Sequence, residues 1–265
     1  MSRSVQLVWL LALAAAALLP ACACDPDGDP VEQDEQDAGA DAGDDSRAVF
    51  ADATDLELMR ALQSAAAGDA LNAVTIGSLF SQRDEPAGCP IIASEGAVTT
   101  VTAGCTDVDG ARIEGTLLLD NVPPILSQDP DIDPDGLRRL VADDFSLVGP
   151  EGRMTLDGTA EIEPAHRTAA IALRFEAHGL LATSDVEWIC DDTELCTASA
   201  GSAIDLDGVG RATVEGTRRI GEPKAGTVTL HGVDDVTFDI AASTADCVPY
   251  HRSNGTSGQA CDPAP

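Results

Sequence analysis

RMTLDGTAEIEPAHRTAAIALRFEAHGLLATSDVEWI, residues 153–189, holds three stretches, 153–162, 168–175 and 183–189, in which apolar residues alternate with Asp, Glu, Arg, Thr or Ser. Successive side chains of a strand point to opposite faces, so a period of two describes strands with one dry and one wet face. The pattern continues outward, upstream over 97–103, 112–119 and 137–148, and downstream over 203–206, 212–220, 227–231 and 236–240. Turn-forming pairs such as Asp109-Gly110, Pro123-Pro124, Asp135-Gly136 and Gly149-Pro150 punctuate the run. The expectation is a mainly β domain over residues 88–265, built as an antiparallel meander, a sandwich or a partly open barrel.

A weak internal echo runs through it. Ile113-Glu114-Gly115-Thr116, Leu156-Asp157-Gly158-Thr159 and Val214-Glu215-Gly216-Thr217 share an apolar-acidic-Gly-Thr order, each shortly after an arginine. Their uneven spacing argues against a solenoid or propeller and for a shared hairpin or bulge geometry that needs glycine.

One or two short helices are expected before the sheet, in an arm over residues 51–87 that packs on the core. Thr54 and Glu57 have the spacing of a capping box, Leu58, Leu62 and Ala65 or Ala66 follow on one side, and Gly68 offers a stop. A second segment, 70–80, reads as helix or irregular arm.

The N-terminal region reads as an address. Residues 7–19 are thirteen consecutive apolar residues, too short to span about 30 Å of hydrocarbon permanently and the length of a signal-peptide core. Leu19-Pro20-Ala21-Cys22 looks like a bacterial lipobox, which makes residues 1–21 a signal peptide and Cys22 the lipidated N-terminus; ordinary cleavage after Ala21 or Ala23 is the alternative. Residues 22–50 then form an acidic tether expected to be disordered, since residues 25–45 carry ten acidic side chains and no basic one. A calcium-binding role for Asp25, Asp27 and Asp29 competes with that, without the later ligands of a dedicated loop.

Charge bounds the partners. The chain has 46 acidic and 15 basic residues, a net charge of −31, and the excess persists beyond the tether. Nucleic acid and anionic headgroups are repelled by such a surface, which leaves the lipid anchor as the membrane contact and an envelope protein as the candidate partner. Of eight cysteines, Cys22 takes the lipid and Cys24 is left over. Cys89, Cys105, Cys190, Cys196, Cys247 and Cys261 read as disulfides of an exported protein, and local pairing in chain order is favoured because each pair brackets a plausible turn or hairpin. Scattered cysteines without a C-x-x-C disfavour zinc.

The chemistry-bearing residues are few. His166, His178, His231 and His251 belong to no H-E-x-x-H, and no serine sits in G-x-S-x-G; enzymatic activity is disfavoured, though a triad assembled from distant residues stays open. Asp131, Asp133, Asp135 and Gly136 match the opening of a calcium loop whose twelfth position is Ala142 rather than Glu. They are weak calcium candidates; no other cofactor is implied. Trp188, in an alternating strand near Cys190, reads as core; Tyr250 and His251 read as part of a stapled terminal turn.

Over Cys89-Pro90, Gly104-Cys105-Thr106-Asp107 and Ile113-Glu114-Gly115-Thr116, the sequence resembles a group of uncharacterised secreted lipoproteins from myxobacteria. The resemblance implies a cell-envelope β protein and supplies no activity. Ala23, in place of the Asp linked with inner-membrane retention in some bacteria, favours the outer membrane. The functional expectation is a structural or ligand-binding envelope lipoprotein, ahead of a calcium-stabilised adhesive module and of a secreted hydrolase.

Overall fold

A computed structural model of the chain describes residues 47–66, 89–106, 110, 112–122, 133, 136–149, 152–163, 168–177, 179–219, 223–244 and 246–261. Fifteen antiparallel strands make one sheet: β1 (Ile91–Glu95), β2 (Val98–Thr102), β3 (Cys105–Thr106), β4 (Arg112–Asp120), β5 (Arg138–Gly149), β6 (Gly152–Glu163), β7 (Thr168–Ala177), β8 (Leu180–Cys190), β9 (Leu195–Ala198), β10 (Ala203–Leu206), β11 (Gly210–Arg219), β12 (Gly226–His231), β13 (Asp235–Asp239), β14 (Cys247–Arg252) and β15 (Ser257–Cys261). Neighbours in sequence are neighbours in space almost throughout, with β3 beside β4 and β9 bridging β8 and β11. The order is that of a meander, and the path from β1 to β15 does not close into a barrel.

Alternation does what the sequence demands. Along β8, Ala182, Ser184, Val186 and Trp188 are buried while Thr183, Asp185, Glu187 and Ile189 are exposed. The dry face continues through Ile113 and Leu117 on β4, Leu156 on β6, Leu173 on β7, Leu230 on β12 and Phe238 on β13, in one core. Each fully buried side chain of this kind contributes about 1.5–3 kcal/mol.

The sheet curls around a helix. Thr54 caps α1 (Asp55–Ala65) with the capping box in place, its hydroxyl accepting from the Glu57 N–H and its own N–H donating to the Glu57 carboxylate. The helix ends with Ala66 as C-cap, before Gly68 is reached. At its start, the Tyr250 hydroxyl of β14 donates to Asp55 at 2.9 Å. At its end, Ser184 Oγ donates to Ser64 O at 3.2 Å and Trp188 Nε1 to Ala65 O at 2.9 Å. One short helix thus touches strands far apart along the meander. The second helical segment expected at 70–80 lies outside the described residues.

Two of the three echoed glycines, Gly115 and Gly158, stand at register shifts between the long strands, whereas Gly216 pairs with Val228 in an unbroken ladder. The β4–β5 register shifts between Glu114 and Thr116, and the β5–β6 register between Ala142 and Phe145. Gly158 faces the second bulge with φ +113°, and a Cβ there would lie 2.2 Å from the Ala172 carbonyl oxygen of β7. Only glycine lets the strands approach so closely.

Upstream of the helix, a strap fixes the chain's arrival at the sheet. Ala48 N donates to Arg211 O at 2.7 Å, Val49 N to Val209 O at 3.1 Å, and Val233 N to Ala48 O at 2.7 Å. The Arg47 guanidinium donates to Gly232 O, and Phe50 N to Asp234 Oδ1 at 2.8 Å. The last four residues of the 22–50 stretch expected to be disordered are therefore part of the fold, because the Arg47 side chain and the backbone of residues 48–50 find partners at the start of β11 and in the turns after β10 and β12.

Candidate functional site

The six cysteines pair locally, Cys89 with Cys105, Cys190 with Cys196 and Cys247 with Cys261. The last two pairs sit directly opposite one another in their ladders. What reads as a terminal turn between Cys247 and Cys261 is a hairpin, β14–β15, whose Tyr250 is 6 % exposed. Burial and the bond to Asp55 push the Tyr250 phenol above its ordinary pKa. Trp188 is core, at 0 % exposure. In the tight loop after β8, Asp191 Oδ1 accepts from Thr193 N and Oγ1, both at 2.8 Å, and from Leu195 N at 3.1 Å. The Thr193 bonds, side chain first, hold the Asp191 carboxyl below the usual carboxylate range.

Of the histidines, His166 and His178 lie outside the described residues. His231 on β12 is bracketed by two carboxylates, with Nε2 3.0 Å from Glu215 and Nδ1 3.2 Å from Asp235. Both ring nitrogens are engaged, so neither faces a hydroxyl nucleophile. His251 Nδ1 lies 2.7 Å from Ser257 Oγ across the terminal hairpin, on its exposed side. That pair has no orienting carboxylate among the described residues, and does not make a triad.

Of the calcium candidates, Asp131 and Asp135 lie outside the described residues, as does Cys22. Asp133 is exposed, and the buried Asn121 side chain holds its main chain on both sides, donating to Asp133 O and accepting from Asp133 N, each at 2.7 Å. Among the described residues, no three His, Cys, Asp or Glu side chains form a metal-binding group.

On the wet face, a groove of 290 Å³ runs over β6–β8 beside the loop after β9. Glu161, Asp185 and Glu187 give it an acidic lining, with Ala170 and Ser199 between them. Glu161 is engaged by Arg139 at 3.1 Å.

The residues that sequence reasoning missed face inward. Among the described residues, three arginines lie over aromatic rings: Arg60 over Phe175 at 5.0 Å, Arg252 over Tyr250 at 5.1 Å and Arg218 over Trp188 at 4.8 Å. Arg60 donates to Ser64 Oγ at 2.8 Å and Phe175 O at 2.7 Å, and Arg252 to Ala51 O at 3.0 Å and Ala53 O at 2.6 Å. Arg218, 8 % exposed, has no hydrogen-bond acceptor or carboxylate partner among the described residues, and its Nε is sealed from solvent. Burial alone pushes its pKa down to about 10. Strand parity carried the signal: Ala212, Val214 and Arg218 fall on one side of β11, and the first two are core.

Compared with known proteins, the chain matches no family model, no curated protein and no solved structure.

Proposed function

We propose that this chain is a lipid-anchored protein of a bacterial cell envelope, held through Cys22, with its acidic stretch as spacer and the curled sheet as a structural or binding module. The observation that carries the reading is the apolar run 7–19 ending in Leu19-Pro20-Ala21-Cys22. Three disulfides in the strand domain support it, because such bonds persist in oxidising compartments. The ten acidic side chains of residues 25–45, with no basic residue among them, support the spacer role, since they repel one another and the segment has almost nothing to bury. Outer-membrane placement rests on Ala23.

Fractionation of cells that produce the chain tests the anchor. The native protein is expected in the membrane fraction with incorporated palmitate, and Cys22→Ser in the soluble exported fraction without it. Unchanged lipid labelling of Cys22→Ser, or native protein in the soluble fraction, rejects the anchor.

A further inference from the structure

A guanidinium stacked on an aromatic face inside a protein normally has its N–H groups on carbonyls or carboxylates, because an unpaired buried cation is costly. Arg60 and Arg252 obey that rule with their terminal nitrogens, through Ser64, Phe175, Ala51 and Ala53, although the Nε of each, like that of Arg218, is buried without a hydrogen-bond partner among the described residues. Arg218 breaks it. Its ring partner Trp188 is itself fixed by the bond from Nε1 to Ala65 O at the end of α1, so the surface under the guanidinium is rigid. Arg218 pairs in register with Cys196, whose disulfide partner is Cys190, and with Gly226, so neither lateral neighbour offers a side-chain acceptor. Arg218 is the second-last residue of β11 and Trp188 the third-last of β8, which places the pair near the rim of the curled sheet.

We propose that the Arg218–Trp188 pair is the recognition element of a binding site for a small monocarboxylate, whose two oxygens take the fork of guanidinium N–H donors that the fold leaves unmatched. The planar fork fits a carboxylate with two parallel bonds. Charge then selects among oxyanions. With 46 acidic residues against 15 basic ones in the chain, each further negative charge on a ligand is opposed by the field of the whole molecule. A monoanion is therefore favoured over phosphate. The site is independent of the anchor, so failure of the Cys22 reading leaves it standing.

The test uses the full chain in detergent micelles. The chain's two tryptophans are Trp9 and Trp188, and Trp9 falls in the segment read as a signal peptide, so in the processed protein the indole of Trp188 is the sole reporter. Its emission is followed during titration with sodium acetate, and separately with sodium phosphate, at ionic strength held constant with chloride. The expected result is a saturable change with acetate, half-saturating at lower concentration than phosphate. In Arg218→Met the half-saturation concentration is expected to rise by about tenfold or more, because the loss of charge-assisted bonds exceeds the tenfold step in affinity. If Arg218→Met does not fold, Arg218→Lys keeps the charge and loses the fork, and the half-saturation concentration is expected to rise severalfold. No saturable change with acetate in the protein with native Arg218 overturns the proposal. So does acetate binding unaltered in the folded variant, or a tighter fit to phosphate.

Discussion

Alanine at Gly158 is expected to destabilise the domain by about 3–5 kcal/mol. Two costs add. A residue with a side chain held at φ +113° sits where L-amino acids almost never go, at about 1–3 kcal/mol. The new methyl carbon would also stand 2.2 Å from the Ala172 carbonyl oxygen, against about 3.3 Å for the closest comfortable carbon–oxygen contact. Strands β6 and β7 must part by roughly 1 Å to admit it, which weakens neighbouring ladder bonds worth about 1 kcal/mol each. Gly158 pairs with Ala142 on one side and Leu173 on the other, so the displacement cannot be absorbed at a free edge. Urea unfolding with the disulfides kept oxidised measures the loss, and thermal melts should show about 10 °C, since 1 kcal/mol shifts a domain of this size by about 2–4 °C. Gly149→Ala is the control: no atom lies within 4 Å of the added carbon and φ is not positive, so it should change stability by less than about 0.5 kcal/mol. A Gly158→Ala loss under about 1 kcal/mol, or one equal to the control, would refute the close-approach argument.

Tyr250 is the chain's one tyrosine, so the absorbance of its phenolate can be followed directly, and its midpoint should lie above the ordinary phenol value of about 10. The folded state holds that proton more tightly than the unfolded state, so stability should fall as pH rises past the unfolded pKa and on through the folded one. Tyr250→Phe should flatten that alkaline decline; a midpoint at or below the ordinary value contradicts the burial and the Asp55 bond. For Asp191, carboxyl carbon shifts followed by NMR should titrate below the usual aspartate range, and Thr193→Ala should move the midpoint upward by removing its largest cause. No movement in that variant would mean that the Asp191–Thr193 turn is not formed in solution.

Much of the sheet was legible because one face of its central strands is dry. Strands β7 and β8 bury every second residue over much of their length, and period two is easiest to read there. Thr54 and Glu57 announced the helix start for a local reason, two side chains satisfying two backbone N–H groups three residues apart. The strands that escaped detection lack the alternation. Edge strand β1 leaves Ile91, Ala93, Ser94 and Glu95 all exposed, and β9 is four residues long. Strand β14 carries Pro249 in its middle, a residue that normally argues against a strand, and it takes its place beside edge strand β15. The aromatic-stacked Arg218 was missed for another reason: its parity with Ala212 and Val214 on β11 pointed inward, but a charged side chain is ordinarily placed on the wet face. For the histidines the sequence supplied candidates without geometry, and His231 meets its two carboxylates because β11, β12 and the turn into β13 bring Glu215 and Asp235 to either side of it.

The strap at residues 47–50 makes the domain's attachment a mechanical junction. Tension arriving from residue 46 is first borne by Arg47, Ala48, Val49 and Phe50, which grip two different turns through Gly232, Arg211, Val233, Val209 and Asp234. The load is split between strands β10–β11 and β12–β13 before it can reach the cap at Thr54. Behind the strap, Arg252 clasps the carbonyls of Ala51 and Ala53 and resists peeling of the next residues. A pull on the N-terminal stretch would thus have to shear this short clasp loose before it could unwind a helix turn, and the curled sheet would keep its shape under tension up to that point.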